Sequence, residues 1–120
     1  NIDSGMFRAM QLAAATALEA EADWYEGNNE NYRNRRHLAG EIMKALGCTY
    51  DEKQVGMFLW GKIPASCKDV EELTEKVLHE ARVFITPGFI FGSNGARYIR
   101  ISLCCKDNKL AEALERIKRI

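Results

Sequence analysis

The chain has 120 residues, 47% of them hydrophobic, and its seventeen basic and seventeen acidic side chains cancel to a formal net charge of zero. That length fills one domain core rather than two, and the cancelled charge leaves no overall field to recruit nucleic acid or an anionic membrane. No apolar run reaches the roughly 18 residues of a membrane span, and the polar stretch after Asn1 does not read as a secretory leader.

Met6, Met10, Ala13, Ala14, Ala17 and Leu18 recur at helical spacing, which predicts a long N-terminal helix over residues 5–25 that stops at Gly27. Its alanines favour the helix and let a second helix approach closely. Asn28 or Asn29 then caps another helix, with Tyr32, Ala39, Ile42, Met43 and Leu46 inward and Gly47 as its stop. Arg33, Arg35, Arg36, Glu41 and Lys44 read as the solvated face of that helix.

From Gln54 to Ile63 the residues alternate as in a strand, Val55, Met57 and Leu59 to one side and Phe58 and Trp60 to the other, until Pro64 ends it. Asp69 caps a helix with Glu72 as a capping-box partner and Val70, Leu73, Val77 and Ala81 as the apolar stripe. Val83 to Thr86 reads as a short strand. A glycine-punctuated loop follows, then a strand over residues 97–105. Asp107 or Asn108 starts a last helix with Leu110, Leu114 and Ile117 inward. After the first helix the order is α-β-α-β-β-α. This is an α/β chain of the two-layer α+β kind, a small antiparallel or mixed three-stranded sheet packed by helices.

If Val55, Met57, Leu59, Val83, Ile85, Ile99, Ile101 and Leu103 pack beneath the helices, the opposite face collects Phe58, Trp60, Phe84, Tyr98 and Arg100. An arginine held on a strand beside a glycine-shaped loop offers a planar fork to a small carboxylate. The plainer alternative is an arginine that points into water or pairs with a neighbouring carboxylate. An aromatic sheet face also suits base stacking in an RNA-binding module, which the zero net charge disfavours. A dimerising or ligand-sensing module with no chemistry of its own would use the same face as an interface.

Cys48, Cys67, Cys104 and Cys105 show no C-x-x-C spacing for zinc or redox chemistry. They read as reduced thiols, which points to the cytoplasm. His37 and His79 lie in charged helices and read as solvent-facing. Gly92-x-x-Gly95 is too short and too late for a phosphate-binding fingerprint.

The segment T-P-G-F-I-F-G-S-N-G-A-R-Y-I-R-I-S resembles the C-terminal signature of fold-type I, class I/II aminotransferases that use pyridoxal 5'-phosphate. N-I-D-S-G-M-F at the start is similar to the stretch that follows the family's cofactor-binding lysine. Asn29, Tyr32, Arg35 and Arg36, the F-L-W-G-K-I-P strand and the closing A-L-E-R-I fall in family order between and after them. The aspartate and LL-diaminopimelate aminotransferase branches are the most similar.

The resemblance implies that residues 1–27 border a large domain and that residues 28–120 form the C-terminal small domain. It implies that Arg100 clamps the substrate α-carboxylate and that Asn1 lies near a neighbouring subunit's active site. It places the Schiff-base lysine upstream of the N-I-D-S-G segment, outside this sequence, so the chain is expected to be a piece of a homodimeric, cytoplasmic enzyme acting on amino acids and 2-oxo acids. Alone, the piece is expected to bind no cofactor and to be inactive. Arg97 departs from the family pattern, and the resemblance assigns it no role.

Overall fold

The computed structural model describes residues 5–120; residues 1–4, and with them Asn1, lie outside the described residues. Two compact units divide the chain, one ending at Asn31 and the other running from Tyr32 to Ile120.

In the first unit, α1 spans Arg8–Leu18 and buries no residue. Met6, Phe7, Met10, Leu12 and Leu18 are all exposed. The helix is interrupted at residues 19–21, and α2 begins at Ala22 and continues to Ala45. Tyr25 donates its hydroxyl to the Ala17 carbonyl at the end of α1. Gly27 therefore lies inside a helix rather than stopping one, and Asn28 and Asn29 are helical rather than caps. A single glycine costs a helix only about 1 kcal/mol, and Gly27 does not adopt the left-handed backbone that would end it.

The second unit is built on a three-stranded antiparallel sheet. β1 (Phe58–Lys62) and β2 (Thr86–Pro87) both pair with the central β3 (Tyr98–Ser102). The helices are the end of α2, α3 (Val70–Lys76) prolonged by a π-helical turn over Val77–Ala81, and α4 (Asp107–Ile117). The architecture and the α-β-α-β-β-α order agree with the sequence expectation.

One sheet face makes the core. Leu59, Ile99 and Leu103 are fully buried, joined by Ile42 and Met43 from α2, Val70 and Val77 from the α3 segment and Leu110, Leu114 and Ile117 from α4. The expected stripe of Val70, Leu73, Val77 and Ala81 is buried throughout. Asp69 caps α3 by accepting from the Glu72 amide at 2.9 Å, while the Glu72 carboxylate reaches back to the Lys68 amide at 3.1 Å.

The strands are shorter than their alternating patterns suggest. Val55 and Met57, expected in the core, are 87% and 51% exposed. The chain turns at Gly56, whose φ of +86° no strand residue holds, so pairing starts only at Phe58,. Gln54 instead folds its side-chain amide onto the outer edge of β1, donating to the Trp60 carbonyl at 2.8 Å and accepting from its amide at 2.9 Å. It thereby satisfies edge groups that would otherwise invite another strand. Likewise, residues 83–85 are not paired; the strand begins at Thr86, opposite Arg100.

Two of the arginines assigned to a solvated face are structural. Arg35 donates from Nε to the Asp107 carboxylate at 2.9 Å and from Nη1 to the Leu103 carbonyl at 3.2 Å. Arg36 donates to the Gly56 carbonyl at 2.6 Å. Their partners are distant in sequence, which helical periodicity does not see.

Candidate functional site

The second face of the sheet carries the site. Arg100 occupies the middle of β3, in register with Trp60 of β1 on one side and Thr86 of β2 on the other. Alternation places Tyr98, Arg100, Phe58 and Trp60 away from the core. All four are half-buried.

The Arg100 guanidinium carbon lies 4.2 Å from the centre of the Phe58 ring and 4.1 Å from that of Phe91, with Trp60 at 6.0 Å. Trp60 meets Phe91 edge to face, centroids 5.3 Å apart at 72°. Each ring face attracts the cation by about 0.5–2 kcal/mol, depending on how dry the contact is. Among the described residues the Arg100 side chain makes no hydrogen bond or ion pair, and its Nε is buried without a partner. The alternative of an ion-paired arginine finds no carboxylate partner among the described residues. The guanidinium is flanked by aromatic rings.

Phe91 reaches this position through the loop. After β2 the chain makes two short 3-10 turns, Gly88–Phe91 and Ser93–Gly95. The backbones of Gly88 and Gly95 touch where these turns cross, and a Cβ on either would collide with the other's carbonyl. Only glycine permits that approach. Strand alternation does not place Phe91 on this face, since residues 88–95 read as loop; the visible signal is an aromatic residue bracketed by closely spaced glycines. Phe84, which alternation does place there, is 71% exposed and outside the cluster. Trp60, Phe91, Asn94, Gly95 and Tyr98 line an open recess of about 460 Å³.

Arg97 has a separate task. Its guanidinium donates to the carbonyls of Cys67, Lys68 and Pro64 at 2.9, 2.8 and 2.8 Å. It fastens the segment leading into α3 to the start of β3.

Other candidates stand apart from this site. His37 is exposed, and exposed His79 pairs with Glu75 at 3.0 Å. Cys48 is buried, and burial, with a smaller push from Cys67, raises its thiol to about 11. No group of three metal-ligating side chains occurs among the described residues, and none of their helices is long and apolar enough to cross a membrane.

The sequence model of the family described as "Aminotransferase class I and II" matches residues 4–117. The LL-diaminopimelate aminotransferase of Desulforudis audaxviator is 37% identical over 118 residues, covering 98% of this chain and 30% of that protein. The apo-BacF structure from Bacillus subtilis superposes with a TM-score of 0.76 at 33% identity, over 96% of this chain and 30% of that one. The aromatic aminotransferase of Pyrococcus horikoshii gives a TM-score of 0.76 at 33% identity, over 91% and 30% of the two chains. The chain thus spans about 30% of the length of the relatives it matches.

Proposed function

The chain belongs to the class I and II aminotransferases, and from that premise we propose that it is the C-terminal part of a pyridoxal-phosphate-dependent aminotransferase in which Arg100 receives the α-carboxylate of the substrate. The observation that carries this is the guanidinium of Arg100, lying over the Phe58 and Phe91 rings with no acceptor of its own among the described residues. A carboxylate arriving at that fork replaces water on a charge that is already oriented, and each charge-assisted hydrogen bond contributes roughly 1.5–3 kcal/mol in a sheltered setting.

A lone guanidinium on an aromatic surface fits a carboxylate rather than a phosphate and pyridine ring together, so the contacts that hold the cofactor are assigned outside this chain. When bound in the complete enzyme, pyridoxal phosphate supplies the electron sink for chemistry at the substrate α-carbon. Arg100 contributes orientation: with the carboxylate gripped at two oxygens, the α-carbon is held in one pose. Asn1 is proposed to lie near a neighbouring subunit's active site.

On this reading the substrates are an amino acid and a 2-oxo acid. Residues 1–27 border a large domain, residues 28–120 form the small domain, and the enzyme is a homodimer of the cytoplasm. Family membership favours this over a free-standing RNA-binding or dimerising module.

The test is to assay the full-length protein, supplied with pyridoxal phosphate, for amino transfer from a panel of amino acids to 2-oxoglutarate. Transfer is the expected result; no transfer from any donor contradicts it. Residues 1–120 alone are expected to transfer nothing and to leave the pyridoxal phosphate spectrum unchanged.

A further inference from the structure

We propose that Phe58 and Phe91 are positioning residues for Arg100, holding the guanidinium plane by their ring faces in place of the acidic partner that usually fixes an arginine; the proposal rests on the reading of Arg100 as the carboxylate receiver. The two ring centres lie at nearly equal distance, 4.2 and 4.1 Å, from the guanidinium carbon. Nε is buried and has no hydrogen-bond partner among the described residues, so none of these sets the fork's direction.

The choice of rings has a chemical consequence. An aspartate or glutamate in their place would hold the guanidinium equally well, but it would neutralise the charge and compete with an incoming carboxylate for the same donors. A ring face attracts the cation through its quadrupole and offers no lone pair in the guanidinium plane. The edge donors stay vacant.

The two rings are secured differently. Phe58 belongs to β1, in register with Ser102. Phe91 stands on the loop closed by Gly88 and Gly95, is backed edge to face by Trp60 and remains 50% exposed. The loop from residue 88 to 95 therefore decides whether the fork is presented in a fixed plane, and Phe91 is the wall whose removal frees it.

The experiment uses the full-length protein with arginine labelled in ¹⁵N, the Arg100 Nε–H signal being identified by its loss in Arg100→Lys. That buried proton is expected to exchange slowly, to exchange at least about tenfold faster in Phe58→Leu and Phe91→Leu, and to stay within about threefold of wild type in Phe91→Tyr, which keeps the ring face. In parallel, binding of 4-methylpentanoate, a monocarboxylate, is followed by isothermal titration calorimetry. Affinity is expected to fall at least about fivefold in either leucine variant and to be retained in Phe91→Tyr. Unchanged exchange and affinity in both leucine variants, with binding lost in Arg100→Lys, overturns the positioning role and leaves the arginine's role intact. Unchanged affinity in Arg100→Lys overturns the carboxylate reading and this proposal with it.

Discussion

Gly88 and Gly95 touch backbone to backbone, and a Cβ added to Gly95 would collide with the Gly88 carbonyl. That contact folds the loop so that Phe91 lies over Arg100. Gly95→Ala has no flexible neighbour to push aside, so it is expected to cost about 1–3 kcal/mol, as overpacking does. Denaturant unfolding reads the loss, and Trp60 fluorescence reads the departure of Phe91. An alanine variant with wild-type stability and emission contradicts the crossing of the loop.

Arg97 and Arg100 are three residues apart and are expected to fail in different ways. Arg97→Ala strands the carbonyls of Pro64, Cys67 and Lys68, all accepting within 2.9 Å. Because the site is partly wet, the expected loss is about 2–3 kcal/mol of stability. Thermal unfolding checks it. A variant as stable as wild type shows that the clamp does not hold the segment before α3.

Asp69 satisfies the Glu72 amide at the start of α3. Asp69→Ala is expected to cost about 1 kcal/mol and Asp69→Asn much less, since the amide oxygen still caps. The two unfolding midpoints, compared side by side, test the cap; equal losses in both would point to the charge instead.

Cys48 gives a pH dependence with a definite sign. Burial raises the thiol from 9.0 to about 11, so the folded state favours the neutral form. Its contribution is fully present below pH 9, declines as the unfolded chain ionises, and is lost as pH rises through the folded value of about 11,. Stability is therefore expected to fall between pH 9 and 11 more steeply in wild type than in Cys48→Ala. At pH 8 a thiol reagent is expected to label exposed Cys104 and Cys105 well before Cys48,. Equal labelling rates would show that Cys48 is not sequestered.

Much of the fold was legible because the local signals agreed. The stripe from Val70 to Ala81, the Asp69 cap, the spacing of Leu110, Leu114 and Ile117, and the alternation about Ile99 and Ile101 each report which side is buried. The same alternation continued into Val55 and Met57, where it misled: backbone geometry at Gly56 ends the strand, and two residues of correct phase are left in solvent. Gly27 misled in the other direction, since a glycine ends a helix only where the chain adopts the left-handed form. Arg100 was found from its place on a strand and from family resemblance. Phe91 was not, because its place over Arg100 depends on a backbone contact between residues seven apart in a loop. Arg35 was missed for a related reason, its carboxylate partner Asp107 being 72 positions away.

Arg100→Lys tests the carboxylate-binding role most directly. Lysine keeps the charge but cannot span two carboxylate oxygens or offer a planar group to the Phe58 and Phe91 rings. In the full-length enzyme kcat/KM for amino transfer is expected to fall at least about tenfold, with KM raised and kcat lowered together because grip and orientation fail at once. Kinetics unchanged from wild type would contradict the assignment of Arg100 as the carboxylate-binding residue.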